Sequence, residues 1–342
     1  MRCCVSTKAD PADYWVRRPI MMKNTISVVI PTLGEETLPR TVEAVLRQTR
    51  PADEIIVVGR DQSGRMARFP GVRFIDTGRP ASAAEARNRG IAATRGDIVA
   101  LTDSDCVPLP DWLARHEEAH TTGQSVVGGG VELSGTNYWA QADNVAMFHD
   151  FVPRRPAGYR TLLPTLNLSI RRSVIEEVGG LDETLPSAED AEWTIRICRA
   201  GWPIYFEPAA RVRHAPMRTR PSDVVRHWRK LGYSSIRVRL RYRQEFRTPR
   251  WAGSAFWVLV LSPLIAARVT AGIYRQRWAW RAWKYLPVVY ASKIWFCQAA
   301  AESIRSGYAF DRSQNIPHIA PRRDKLAHAD SAMAVSARVT RP

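Results

Sequence analysis

Short apolar runs alternate with stretches of helical period along the first two thirds of this 342-residue chain. The runs 26-ISVVIPT-32, 54-EIIVV-58, 72-VRFID-76 and 97-DIVALTD-103 are nearly all apolar, which predicts strands buried on both faces. Between the first two, Leu38, Val42, Val45, Leu46 and Thr49 fall at helical spacing in 38-LPRTVEAVLRQT-49. Repetition of this strand, helix, strand unit predicts a parallel sheet with helices on both faces. Ligands in such sheets sit beyond the carboxyl ends of the strands. Thr32 and the turns 59–61 and 103–105 therefore lie on the ligand side.

Four short motifs carry candidate chemistry, each with an ordinary structural alternative. Asp103 and Asp105 end an apolar run one residue apart. Turn formation explains them, and so does a grip on magnesium or manganese, which take oxygen ligands and pair readily with diphosphates. The segment 187-SAED-190 fits a capping box before a helix with Trp193, Ile197 and Ala200 on its apolar face. A carboxylate there could equally act as a general base if it faces a cleft. His214 is expected in a loop after a strand over 203–208, and Asp111 is expected to cap the helix after the first aspartate pair. The stretch 116-HEEAH-120 matches the zinc-protease pattern, with His116 and His120 one turn apart. Val126 stands where one protease class would need a third histidine, and a stripe shared with Trp112 and Leu113 equally suits a core-facing helix.

Taken in order, 28-VVIPTLGEETLPRTVEAVLRQTRPADEIIVV-58, 85-EARNRGIAATRGDIVALTDSDCVPLPDWL-113, 166-LNLSIRRSVIEEVGGLDETLPSAEDAEWTIRICRAG-201 and 211-RVRH-214 resemble inverting glycosyltransferase family 2. The resemblance implies the α/β GT-A fold of nucleotide-diphospho-sugar transferases: a mixed, mainly parallel sheet flanked by helices, with C-terminal apolar helices added here. It implies that Pro31, Thr32, Leu33 and Glu35 line the nucleotide pocket, with Arg87 and Asn88 near the diphosphate or base. It makes Asp105 and His214 ligands of a divalent cation, manganese or magnesium, with Asp103 on donor or metal. Asp190, paired with Glu189, matches the catalytic base. The segment 57-VVGRDQS-63 departs from the family, with Gly59 and Arg60 where acids are usual, which leaves Asp61 to hold the base and UDP as the default nucleotide. No QxxRW element of processive synthases is present, so transfer of a single sugar to a lipid-linked or cell-envelope glycan acceptor is expected. A noncatalytic sugar-nucleotide-binding module and a zinc protease are the competing classes.

Fifty Lys or Arg against 33 Asp or Glu give a net charge of +17, which suggests an anionic partner. Residues 226–250 hold nine Lys or Arg and one Glu among aromatics, a pattern that nucleic-acid binding would also explain. The adjoining residues favour a membrane surface over nucleic acid: 251–267 is uncharged, 285–301 holds only Lys293, and 274-YRQRWAWRAWK-284 joins them. Neither run reaches the roughly twenty apolar residues of a span. A shallow or re-entrant hairpin on the cytosolic leaflet is expected, with two helices packed on the protein as the alternative. Five scattered cysteines fit a reducing, cytosol-facing chain. The expected layout is a disordered leader over 1–24, a transferase domain over 25–250 with a basic helical extension from 221, a membrane-associated hairpin over 251–305, and a disordered basic tail over 306–342. Met21 or Met22 is an alternative start. The expected location is the cytoplasmic face of the cell membrane, peripheral or integral through residues 251–301.

Overall fold

The computed structural model describes residues 24–307. The expected leader up to residue 23, the alternative start and the tail from residue 308 lie outside the described residues. The chain runs β1 (Ile26–Thr32), α1 (Leu38–Leu46), β2 (Glu54–Gly59), β3 (Arg73–Asp76), α2 (Ala83–Ala93) and β4 (Ile98–Thr102). It continues with β5 (Cys106–Pro108), α3 (Trp112–Thr121), β6 (Val126–Leu133), α4 (Tyr138–Phe148), β7 (Gly158–Arg160) and β8 (Asn167–Arg171). Then come α5 (Arg172–Val178), α6 (Glu189–Arg199), β9 (Ile204–His214), α7 (Pro221–Arg241), α8 (Ala255–Val260), α9 (Ser262–Tyr274) and α10 (Leu286–Arg305).

Nine strands form one sheet in the order β3-β2-β1-β4-β8-β6-β9-β5, with β7 on β9. The apolar runs account for its centre. In β1, Ile26, Val28 and Ile30 enter one core, shared with Val42, Val45 and Trp112. Val29 enters the opposite core, with Leu101, Trp193 and Ile197. Both faces are covered, as an uninterrupted apolar strand requires.

Two expectations need correction, while the mixed, mainly parallel sheet is as expected: β1, β2, β3, β4, β6 and β9 run one way and β5, β7 and β8 the other. Of the minority, β8 lies inside the sheet, antiparallel between β4 and β6. β3 is not buried on both faces, because it is an edge strand with no neighbour beyond it among the described residues. Leu46 is 48% exposed, and Thr41 takes the buried place on α1.

The basic extension is helical only to Arg241. The run 251–267 breaks into α8 and α9, with Pro263 in the first turn of α9. α10 packs along α7 so closely that a Cβ on Gly232 would lie 2.2 Å from the Phe296 carbonyl oxygen. Among the described residues, no helix is long and apolar enough to cross a membrane. α10 thus takes the alternative role of a packed helix, with Val288, Val289 and Cys297 buried. Residues 251–286 keep several large apolar side chains exposed.

Candidate active site

The 103–105 turn joins β4 to β5, and it is pinned from three sides. The Asp103 carbonyl accepts the Cys106 amide, closing the turn. Thr41 Oγ1 donates to the carbonyls of Ser104 and Cys106 at 3.0 and 2.7 Å. Ser104 Oγ donates to Glu35 Oε2 at 2.8 Å, and that same oxygen accepts from Thr32 Oγ1 and the Leu33 amide. Glu35 thus ties the end of β1 to the aspartate turn. The two carboxylates leave this turn in different directions.

Asp103 turns to Arg87 on α2, with Oδ1 2.6 Å from Nη2. Asp105 turns to His214, with Oδ2 3.3 Å from Nε2. The second contact comes from strand register, because Cys106 pairs with His214 and the Ala215 amide donates to the Asp105 carbonyl. His214 is therefore the buried end of β9 and not a loop residue. Its Nδ1 donates to Asn144 Oδ1 on α4, while Asn144 Nδ2 donates to the His214 carbonyl. With Nδ1 given to Asn144, Nε2 is the ring nitrogen that faces Asp105.

Asp105, Cys106 and His214 bring ligand atoms within 4.8 Å of one another. Burial pushes the Cys106 thiol well above its usual range, with the Asp105 charge adding to the effect, so sulfur stays protonated. Burial also pushes Asp105 up, but His214 and then Arg218 outweigh it and hold the carboxyl below its ordinary value. The Asp105 carboxylate and His214 Nε2, 3.3 Å apart, can both reach one cation at bond lengths of about 2.1 Å when the cation replaces the proton between them. The donor set fits a divalent ion completed by phosphate oxygens. Asp103 is absent from that group of ligand atoms, being committed to Arg87.

Arg87 is 3% exposed and bridges two carboxylates, Asp103 and Glu189, the latter at 2.8 Å. Burial lowers the guanidinium's pKa, yet the charges of Asp103 and Glu189 raise it on balance. Glu189 and Asp190 open α6, but the capping box is not formed. Ala188, at φ 65°, is the N-cap residue and there is no side-chain cap bond. A left-handed alanine costs on the order of 1–2 kcal/mol. Beyond that turn Glu189 meets Arg87, and Asp190 Oδ1 accepts the Ala191 amide. Burial, with the neighbouring Glu189 charge second, raises the Asp190 carboxyl to about 7. A carboxyl poised there suits a general base near neutral pH. Asp111 likewise makes no cap bond, its carboxylate pairing with Arg115.

The other expected pocket residues divide. Pro31 and Thr32 are buried at the end of β1, and Leu33 just beyond it is 61% exposed. Asp61 spends its carboxylate on the amides of Arg65 and Met66, holding a turn. Asn88 is not free to meet a diphosphate: its amide takes the Leu181 carbonyl and Glu183, and its oxygen accepts the Leu181 amide. It brackets the 179–182 loop instead. Gly59, where the resemblance expects an acid, has φ 147°, and a Cβ there would lie 1.7 Å from the Thr32 carbonyl oxygen. Close packing of β2 on β1 excludes any side chain. Ser104, Thr41 and Asn144 were not expected, since single polar residues carry no periodic signal.

The zinc-protease match dissolves in the core. His116 and His120 are buried and share the Ser169 hydroxyl, at 2.7 and 2.8 Å. His116 also meets Asn167 Oδ1, which accepts the Trp112 indole. Burial depresses both histidines, to about 4 and about 3. All four ring nitrogens are engaged, so none is offered to an ion.

Residues 27–179 match the family model Glycosyl transferase family 2, which covers β1 through α5 and the aspartate turn. Two relatives carry the names of glycosyltransferases. Glycosyltransferase AglE of Haloferax volcanii is 29% identical over 248 residues, 69% of this chain and 80% of that protein. The pre-mycofactocin glycosyltransferase of Mycobacterium tuberculosis is 31% identical over 188 residues, 52% of this chain and 39% of that protein. The chain thus spans well under half of the mycobacterial relative. Among solved structures, a Pyrobaculum calidifontis mannosyltransferase in complex with GDP-Man and Mn2+ overlaps 92% of this chain and 81% of that chain, at 14% identity and a TM-score of 0.47. That overlap is too loose to carry either ligand across.

Proposed function

We propose that this protein is a family 2 glycosyltransferase that moves one sugar from a nucleotide-diphosphate sugar to an acceptor hydroxyl with inversion. The observation that carries the reading is the convergence of Asp105 with His214, and of Arg87 with Asp103 and with Glu189, the neighbour of Asp190, around one turn at the carboxyl end of β4. The family match over residues 27–179 supports it. Thr32 and the rim beside Leu33 bind the nucleotide, UDP by default. Asp105 and His214 hold a divalent cation, manganese or magnesium. When bound, that ion supplies positive charge for the departing diphosphate.

Asp190 takes the proton of the acceptor hydroxyl. Its raised pKa makes it basic enough to do so near pH 7. Arg87 holds Glu189 aside and keeps the acid cluster from accumulating unbalanced charge. One displacement, with the base and the leaving group on opposite sides of the sugar carbon, inverts the anomeric centre. The reaction belongs at the cytoplasmic face of the membrane, on a lipid-linked or cell-envelope glycan acceptor. The basic, aromatic surface of residues 251–286 supports that location.

The test is release of nucleoside diphosphate from a panel of UDP- and GDP-sugars, with and without manganese. Metal-dependent release that disappears in Asp105→Ala and Asp190→Asn is expected. Specific donor binding with no turnover across many acceptors would favour a binding module instead.

A further inference from the structure

From Phe246 to Ala301 the chain carries eight Lys or Arg and no Asp or Glu. Large apolar side chains in this segment face outward: Phe256, Leu264, Trp280 and Trp283 are 62%, 66%, 68% and 72% exposed. Exposed singly they would need no explanation, but four on adjoining short elements do. The Trp280 indole is held in place by donation to the Tyr274 carbonyl, while most of its surface stays outside. Beside it opens a cleft of about 470 Å³ lined by Arg154, Arg155, Arg277, Arg281 and Trp278. Among the described residues, only Arg155 of these arginines reaches a carboxylate, Asp150 at 3.6 Å.

We propose that this face, residues 251–286 with Arg154 and Arg155, docks on a bilayer containing anionic phospholipid. It deepens the membrane-side reading above and does not depend on the transfer reaction. Tryptophans prefer the headgroup zone, where an apolar ring and a polar N–H are both accommodated. Planar guanidinium forks match phosphate oxygens, and the cleft gathers several of them. No described helix can span, so the segment lies on the surface. Charge disfavours the other occupants. The chain beyond Gly307 carries six Lys or Arg against three Asp, the same sign as the face. A second copy meeting it about a two-fold axis would set arginine against arginine.

The experiment is flotation of the full chain, without donor or metal, on vesicles of phosphatidylcholine alone or with one third phosphatidylglycerol. Binding to the anionic vesicles, weakened by salt, is expected. Each surface charge accounts for about a factor of five, so Arg277→Gln with Arg281→Gln weakens binding about 30-fold. Trp280→Ser with Trp283→Ser abolishes the fraction that survives high salt. Melting curves confirm that both variants stay folded, and the lipid series on the unaltered chain needs no variant. Equal binding to both vesicles, or none, overturns the proposal. So does a lipid-free dimer that the tryptophan variants convert to monomer, or displacement by inorganic phosphate far beyond chloride at equal ionic strength. A chain that floats yet turns over no donor sinks the transferase reading and leaves this one standing.

Discussion

Arg87→Met offers a quantitative test of the acid cluster. Methionine keeps much of the stem's length and removes the cation that Asp103 and Glu189 share at 2.6 and 2.8 Å. Removing one partner of a buried ion pair costs about 3–5 kcal/mol, because the charge left behind is uncompensated. At about 2.1 cal/mol/K of unfolding entropy per residue, a chain of this size loses about 1.4 °C per kcal/mol, so melting should fall by roughly 4–7 °C. The pH dependence has a definite sign. Arg87 pulls the Asp190 carboxyl down against burial and Glu189, so its loss raises a pKa that already stands near 7. A carboxyl whose folded pKa exceeds its unfolded value costs stability only when ionised. The deficit should therefore be small near about pH 4 and grow through pH 7 and above. Calorimetry in chelator, on both proteins across that range, reads it directly. An unchanged melting temperature at alkaline pH, or a deficit that fails to shrink on acidification, would refute the cluster's electrostatics. Arg87→Lys should recover only part, because an ammonium lacks the fork that spans two carboxylates.

Asn144→Leu should weaken manganese binding about 10–100-fold by freeing the His214 tautomer, while Asn144→Asp, which keeps the acceptor, should largely preserve it. Titration calorimetry gives the affinities, and imidazole nitrogen shifts in metal-free protein show the tautomer that a merely structural role would leave unmoved. Asn167→Ala should destabilise the fold by at least about 3 kcal/mol, since it orphans the buried Trp112 and His116 donors together with two carbonyls. Purified protein should carry no stoichiometric zinc by elemental analysis; zinc that is lost on His116→Ala would restore the protease reading.

The central strands were legible because β1, β2 and β4 are covered on both faces, and burial on both faces demands an unbroken apolar run. The aspartate turn was legible for the same reason, marking where that run stops. β9 was cut short at residue 208 because Glu207, Pro208 and two arginines interrupt it. Yet Ala210, Val212 and His214 are buried at every second position. A period-two reading of 210–214 would have put His214 on a strand beside β5. The irregular register between Gly129 and Gly130 of β6, which absorbs the extra residues of β9, left no such trace. Capping chemistry misled at 187–190 because the left-handed Ala188 displaces the geometry that a capping box needs. Asn144 and Asn167 were invisible for a simpler reason: each matters through a partner on a distant element, which no local pattern encodes.

Turnover of nucleotide sugar by folded Asp190→Asn, with manganese present and against the unaltered chain, decides whether Asp190 is the base. The amide preserves shape and removes the base, so nucleoside diphosphate release should fall by about 10²-fold or more while donor binding persists. Release at the unaltered rate, from protein with an unchanged melting curve, would contradict the assignment of Asp190 and with it the proposed displacement.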